Sequence, residues 1–304
     1  MRFHAFEGMP NQATLKSPFK ELLINSPLLL QYIQKMVLPF NLSVMSTVGD
    51  TNYILAGFTL LLLAVGIYFT KQKRWNYILF GFVWFLGFIS PSLLTGYFGG
   101  LEHRTYLSMV GIFIVVSEFD IFKREAIRKY KYLVPAILLL FTGITIYRLP
   151  IFNNAISYWE SAVKTSDHSS LACLNLGKTY ESIGQYQKAI DAYREGLKRN
   201  PKERLLHNNI GAAFIYLRNY EQAELEIKKE IELFPDNYMA YFNLGIVKER
   251  INKNEEAAAY WKKSLEYNKN FVNAYQQLAQ YYKSINDSVN FKRCVEEVNR
   301  TSRL

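Results

Sequence analysis

The sequence predicts an all-α protein: polytopic membrane helices in its first half, followed by an α-solenoid of two-helix repeats. Three observations carry this. Asn175-Leu176-Gly177 returns as Asn209-Ile210-Gly211 and Asn243-Leu244-Gly245, each time after 34 residues. Long uncharged runs are confined to the residues before Arg148. The 304 residues are enough for two domains, and the composition changes where those runs stop.

In chain order, residues 1–21 form a polar N-terminal segment without the apolar core of a signal peptide, a start that would be ordinary for the middle of a longer protein. The membrane domain is expected over 22–150. Its first part, 22–45, is interrupted by Gln31, Gln34, Lys35 and Pro39, which favours an interfacial helix over a crossing one. About four spans follow, over 51–70, 75–94, 105–122 and 132–149, set against the ~20 apolar residues that a bilayer core requires. The third is the weakest, because Glu118 and Asp120 sit at its end. In the fourth, Lys131 and Arg148 frame the apolar run and can reach the interfaces.

Charge sets the expected orientation. Residues 1–150 carry 14 Lys and Arg against 7 Asp and Glu, and the remainder 22 against 19, so the net charge of +10 belongs mainly to the apolar half. The tight basic turn Lys71, Lys73 and Arg74 and the cluster Lys123, Arg124, Arg128, Lys129 and Lys131 are two spans apart, and both should face the cytoplasm. The loop 95–105 and the repeats would then lie outside it, in periplasm, lumen or exterior. In the repeat half no basic cluster interleaved with aromatics marks a nucleic-acid surface.

The repeat domain is expected over 151–304. Tyr180 and Phe214 come three residues after their Gly; Ala189, Ala223 and Ala257 come twelve after; Pro201 and Pro235 close two units. Small residues at fixed offsets let the two helices of a hairpin approach, and Pro stops the second. This resembles the tetratricopeptide repeat. The units are a half-repeat at 151–169, repeats at 170–203, 204–237 and 238–271, and a cap at 272–304 that carries Phe291 in place of the small Ala. Trp159, Tyr193 and Trp261 share one phase and Tyr186 and Tyr220 another, so all five are expected between hairpins. Cys173 and Cys294 read as small core residues.

Two sets of residues are candidates for function. Asn175, Asn209 and Asn243 recur at the sixth position of each unit, with Gln277 as an amide substitute. An amide carries a donor and an acceptor, so such a row can hold peptide backbone, or each amide can bond a neighbouring helix instead. The row is similar to the asparagine ladder in the repeats of O-GlcNAc transferases. Glu102, His103 and Arg104 stand together in the expected outer loop. They suit binding of a lipid phosphate or substrate, Arg104 by gripping phosphate, or they only separate two helices. The four histidines show no metal-ligand spacing, and no phosphate-binding Gly loop occurs, so no metal or bound cofactor is expected.

In Leu101 to Gly111, Glu102, Arg104, Tyr106, Leu107, Ser108 and Gly111 fall in the order of the acidic-Arg-Tyr-Leu-Pro-Ser-Gly segment of membrane O-mannosyltransferases that carry tetratricopeptide repeats, without its Pro. Leu38-Pro39-Phe40-Asn41-Leu42-Ser43 and the run from Phe80 to Pro91 extend the likeness. The stretch from about residue 20 to 270 thus resembles the C-terminal half of these polytopic glycosyltransferases, whose donors are polyprenyl- or dolichyl-phosphate sugars. The resemblance implies a catalytic acidic pair in a first outer loop that this sequence does not contain. The expectation is therefore a fragment, a split partner or a degenerate relative with catalytic residues unknown. Three readings stay open: a membrane-anchored scaffold whose groove holds a protein or peptide, with membrane lipid around it; part of an active O-glycosyltransferase; or, if the third segment does not cross, an adaptor facing the cytoplasm.

Overall fold

The computed structural model describes residues 18–38, 42, 45–94, 100–101, 106–123 and 131–301. Among them the chain is all-α, apart from one short antiparallel ladder pairing Met45–Ser46 (β1) with Gly100–Leu101 (β2). It divides into two compact units, Met1–Ala172 and Cys173–Leu304.

In the first unit, α1 (Pro18–Val37) stops just before Leu38, the residue preceding Pro39, where the helical conformation is disfavoured. The polar residues that suggested an interfacial helix over 22–45 face the protein interior. Gln31, Gln34 and Lys35 are buried, at 2%, 2% and 9% exposure. The Asn25 side chain donates to Leu93 O at 2.9 Å and Gln34 to Leu38 O at 3.1 Å. Leu28, Tyr32, Ile33 and Met36 of α1 pack with Leu63, Phe85, Ile89 and Ile112. Those last four come from α2 (Tyr53–Phe69), α3 (Trp75–Leu94) and α4 (Tyr106–Ser117). A methyl added at Gly111 would run into the Gly81 carbonyl and Phe85 N, so only small residues permit this approach of α3 and α4.

The expected spans correspond to shorter helices. Only Pro135–Phe152 is both long and apolar enough to cross a bilayer among the described residues. It comprises most of α5 (Leu133–Arg148) and the 3-10 turn Leu149–Phe152. Tyr53–Phe69, Trp75–Pro91 and Tyr106–Ser117 are apolar but shorter. The 12 residues of α4 span about 18 Å at 1.5 Å per residue. Its end is fixed by charge: Glu118 takes two bonds from the Arg74 guanidinium, at 2.9 and 2.6 Å. Asp120 accepts from Lys71 N at 2.8 Å and Lys123 Nζ at 2.6 Å.

The half-repeat helix α6 (Ala155–Thr165) groups with this unit, which runs to Ala172. The reason is Asp50, whose carboxylate accepts from Thr47 N and Oγ1 at 2.8 Å each, from Ser166 Oγ and from His168 N. Burial opposes its charge, but the bonds from Ser166, Thr47 and His168 outweigh burial and hold its pKa below the ordinary value.

The second unit is a run of hairpins. In chain order they are α7 (Ser170–Ser182) with α8 (Tyr186–Arg199), α9 (Leu206–Tyr216) with α10 (Tyr220–Leu233), α11 (Tyr238–Arg250) with α12 (Asn254–Tyr267), and α13 (Val272–Ser284) with α14 (Ser288–Thr301). Gly177, Gly211 and Gly245 are required where they stand: a methyl there would overlap Tyr193, Ile227 and Trp261 respectively. Ala189, Ala223 and Ala257 are wholly buried. The turn after each first helix uses a left-handed residue at the same period: Gly184, Arg218, Asn252 and Asn286, at φ of 75°, 60°, 62° and 58°.

Tyr193 and Trp261 are buried at 0% and 2%, whereas Trp159 is only partly buried, against Ala162 in the first unit. Tyr186 and Tyr220 depart from expectation, since both are half-buried. Tyr186 stacks flat on Tyr216, with centroids 4.6 Å apart and Tyr216 itself 66% exposed. Cys173 and Cys294 are free and buried; burial pushes the Cys173 thiol up to about 11.

Candidate functional site

In each first helix the Gly faces its own second helix. Two residues earlier, at 100° per residue, the amide lies about 200° round the helix, away from that contact. Asn175, Asn209, Asn243 and Gln277 are accordingly half-buried, all four in the same state. The structure links two of them through a residue that periodicity does not single out. Asn243 Nδ2 donates to Asn208 Oδ1 at 2.9 Å, and Asn208 Nδ2 to Asn209 Oδ1 at 3.2 Å. The only sequence signal for Asn208 is its adjacency to Asn209.

The far end of this amide chain is Asn209 Nδ2, which is buried with no hydrogen bond. It stands close enough to Tyr193 to pull that hydroxyl's pKa down slightly, yet outside hydrogen-bond geometry. Burial and the neighbouring Glu181 carboxylate dominate at Tyr193 and push it far up. Tyr193 Oη donates to Glu181 Oε2 at 2.7 Å. Burial also raises the Glu181 pKa and lowers that of Lys178, one helical turn before it.

A second polar centre starts the second repeat. Glu230 is fully buried and occupies the phase held by Gly196 and Ser264 in the neighbouring repeats. Its carboxylate accepts from Leu205 N at 2.8 Å, Asn208 N at 3.3 Å and Asn237 Nδ2 at 2.8 Å. It thereby caps α9 from across the hairpin, where Leu205 is held at φ 75° and provides no cap of its own. Burial pushes Glu230 above the ordinary carboxylate range. Beside it, Glu226 bonds His207 Nδ1 at 2.6 Å and Lys229 at 2.9 Å; burial opposes its charge, but these partners hold it below that range.

Glu102, His103 and Arg104 lie outside the described residues. The first unit contains a cavity of about 300 Å³ lined by residues including Tyr32, Lys35, Tyr106, Phe141 and Arg148. Neither Lys35 nor Arg148 stands out as a site residue in the sequence: one interrupts an apolar run, the other ends one.

Tetratricopeptide-repeat models match residues 170–203 and 209–267. The chain is similar to several solved structures. The crystal structure of MamA is 22% identical over 50% of this chain and 92% of its own, with a TM-score of 0.45. PilF of Pseudomonas aeruginosa is 20% identical over 52% and 73%, with a TM-score of 0.45. The first repeat domain of Spaghetti, solved with an HSP90 peptide, is 25% identical over 40% and 95%, with a TM-score of 0.37. No characterised protein matches the chain in sequence.

Proposed function

We propose that this chain, which carries tetratricopeptide repeats suited to binding protein or peptide, is a membrane-anchored scaffold presenting a peptide groove outside the cytoplasm. The observation that carries the groove is the half-buried amide row Asn175, Asn209, Asn243 and Gln277, one per repeat, with a spare donor on Asn209. Amides at the repeat spacing satisfy backbone groups of an extended chain without selecting its side chains. Substituting Asn209 and Asn243 by Ala is expected to weaken peptide binding while leaving the helical signal intact. Loss of folding instead would assign the amides a structural role only.

Membrane anchoring is supported by apolar surface left exposed among the described residues of the first unit. None of Pro135–Phe152 is buried, and Ile54, Leu61, Leu138 and Leu139 are 85%, 59%, 62% and 72% exposed. Orientation is supported by the start of the second basic segment meeting the first: Lys123 Nζ donates to Gln72 O at 3.2 Å, beside the bonds of Asp120 and Glu118. Protease added to intact and to permeabilised cells tests this. Digestion of the repeats in intact cells is expected; protection until permeabilisation would reverse the orientation.

The second reading, part of a lipid-phosphate-sugar glycosyltransferase, is favoured by the cavity in the first unit. Lys35 and Arg148 can receive a phosphate while Phe141 and Ile144 border an acyl or prenyl chain. Under this reading, K35Q and R148Q each weaken binding of a polyprenyl phosphate. Unchanged binding in both variants would discard it.

A further inference from the structure

Arg74 carries more donors than the protein uses. Its Nε and Nη2 donate to the two oxygens of Glu118 at 2.9 and 2.6 Å, and its guanidinium carbon stands 4.6 Å from the centre of the Tyr77 ring. Carboxylate and ring together fix the plane of the guanidinium, and the N–H groups that Glu118 does not take make no hydrogen bond among the described residues. Glu118 is covered, at 2% exposure, whereas Arg74 is 61% exposed, so the surface presents the cation of this pair.

Arg74 and Tyr77 line an open groove of about 560 Å³ between α3 and α4, with Phe80 and Ile114 also on its wall. Phe80 follows Arg74 by about 9 Å along the helix axis, at 1.5 Å per residue. Beyond it α3 exposes more apolar surface, Leu79 at 65% and Val83 at 60%. Four cations meet at the Arg74 end, Lys71, Lys73, Arg74 and Lys123, against two carboxylates, Glu118 and Asp120, which leaves an excess of two positive charges. Lys73 Nζ is engaged by the carbonyls of Tyr68 and Thr70, and Lys123 Nζ by Asp120 and Gln72 O.

A soluble phosphate would satisfy Arg74 and leave Phe80 and Ile114 in water. A molecule with phosphate at one end and hydrocarbon at the other serves both. We propose that this groove binds one phospholipid of net negative headgroup, its phosphate on Arg74 and the start of an acyl chain against Phe80 and Ile114. A zwitterionic headgroup adds a cation where cations are already in excess and is the poorer ligand. The inference rests on the membrane-anchored reading above. It is separate from the polyprenyl-phosphate reading, because the two cavities share no lining residue.

The test is native mass spectrometry of the purified full chain released from nanodiscs of equal parts phosphatidylglycerol and phosphatidylcholine. Wild type is expected to retain phosphatidylglycerol about tenfold over phosphatidylcholine, as for a charge-assisted bond. The double variant R74Q/E118Q exchanges the ion pair for two neutral amides and leaves no charge buried alone; it should lose most of that preference, with R74K between. An equal melting temperature among the three shows that folding is not the cause. Soluble glycerophosphoglycerol, which has the headgroup without the chains, should not displace the lipid. No preference in wild type, a preference undiminished in R74Q/E118Q, or displacement by glycerophosphoglycerol overturns the inference and leaves the anchored scaffold standing. A chain that does not enter the discs overturns the membrane reading, and the inference with it.

Discussion

Replacing Glu230 by Ala is the sharpest test of how the repeats are held. The substitution removes the acceptor for Leu205 N, Asn208 N and Asn237 Nδ2, at 2.8, 3.3 and 2.8 Å. Each donor left buried without a partner costs about 1–3 kcal/mol. Against that sum stands the desolvation that the wholly buried carboxylate no longer suffers, several kcal/mol for an ion out of water. A net loss of about 3 kcal/mol follows, or about a hundredfold at 1.4 kcal/mol per decade. The loss is local, because the bonds hold the start of α9, and without them Leu205 can leave its left-handed backbone at φ 75°. Hydrogen exchange followed by mass spectrometry on the full chain reads this directly: amides of residues 205–209 should exchange about a hundredfold faster in E230A. E230Q, which keeps one accepting oxygen but turns a donor toward donors, should fall between. Exchange in E230A within about threefold of wild type would refute the cap, since it would put the loss below 1 kcal/mol.

The same group gives a pH signature. The folded pKa of Glu230 lies above its unfolded value through burial, so the native chain binds the extra proton and this group's stabilisation is full on the acid side. It is lost as pH rises through the folded value, and E230Q should flatten that part of the urea-midpoint profile. Asp50 has the opposite sign: its bonds hold the folded pKa low, so its stabilisation is present above the ordinary Asp range and lost as pH falls through the folded value. D50N should speed exchange at Thr47 and His168 by about tenfold at neutral pH. G211A drives a methyl into Ile227 and should cost about 1–3 kcal/mol by denaturant unfolding, more than a surface Gly-to-Ala change such as G57A. N243A, which breaks the 2.9 Å bond to Asn208, should cost about 0.5–1.5 kcal/mol, whereas N209A, which removes the longer 3.2 Å acceptor for Asn208 Nδ2 together with an unpartnered Nδ2, should cost less.

The sequence by itself determined the repeats. A Gly every 34 residues and a small residue twelve later are demands of close helix contact within one hairpin, and local contacts write themselves as a period; the amide two residues before each Gly keeps the same period on the opposite face. The apolar runs were equally legible as helices, down to Trp75–Leu94. The tertiary structure alone decided what breaks the period. Glu230 stands in a small-residue phase and reads as an irregularity until Leu205 and Asn237 are seen to converge on it. Gln31, Gln34 and Lys35 read as an interfacial face until the core closes over them. Asp50 meets Ser166 and His168 across more than a hundred residues, and Glu181 meets Tyr193 across the first hairpin. Each is a contact between distant parts of the chain in which a buried polar group must find partners. Neither helical spacing nor composition specifies which partners those are.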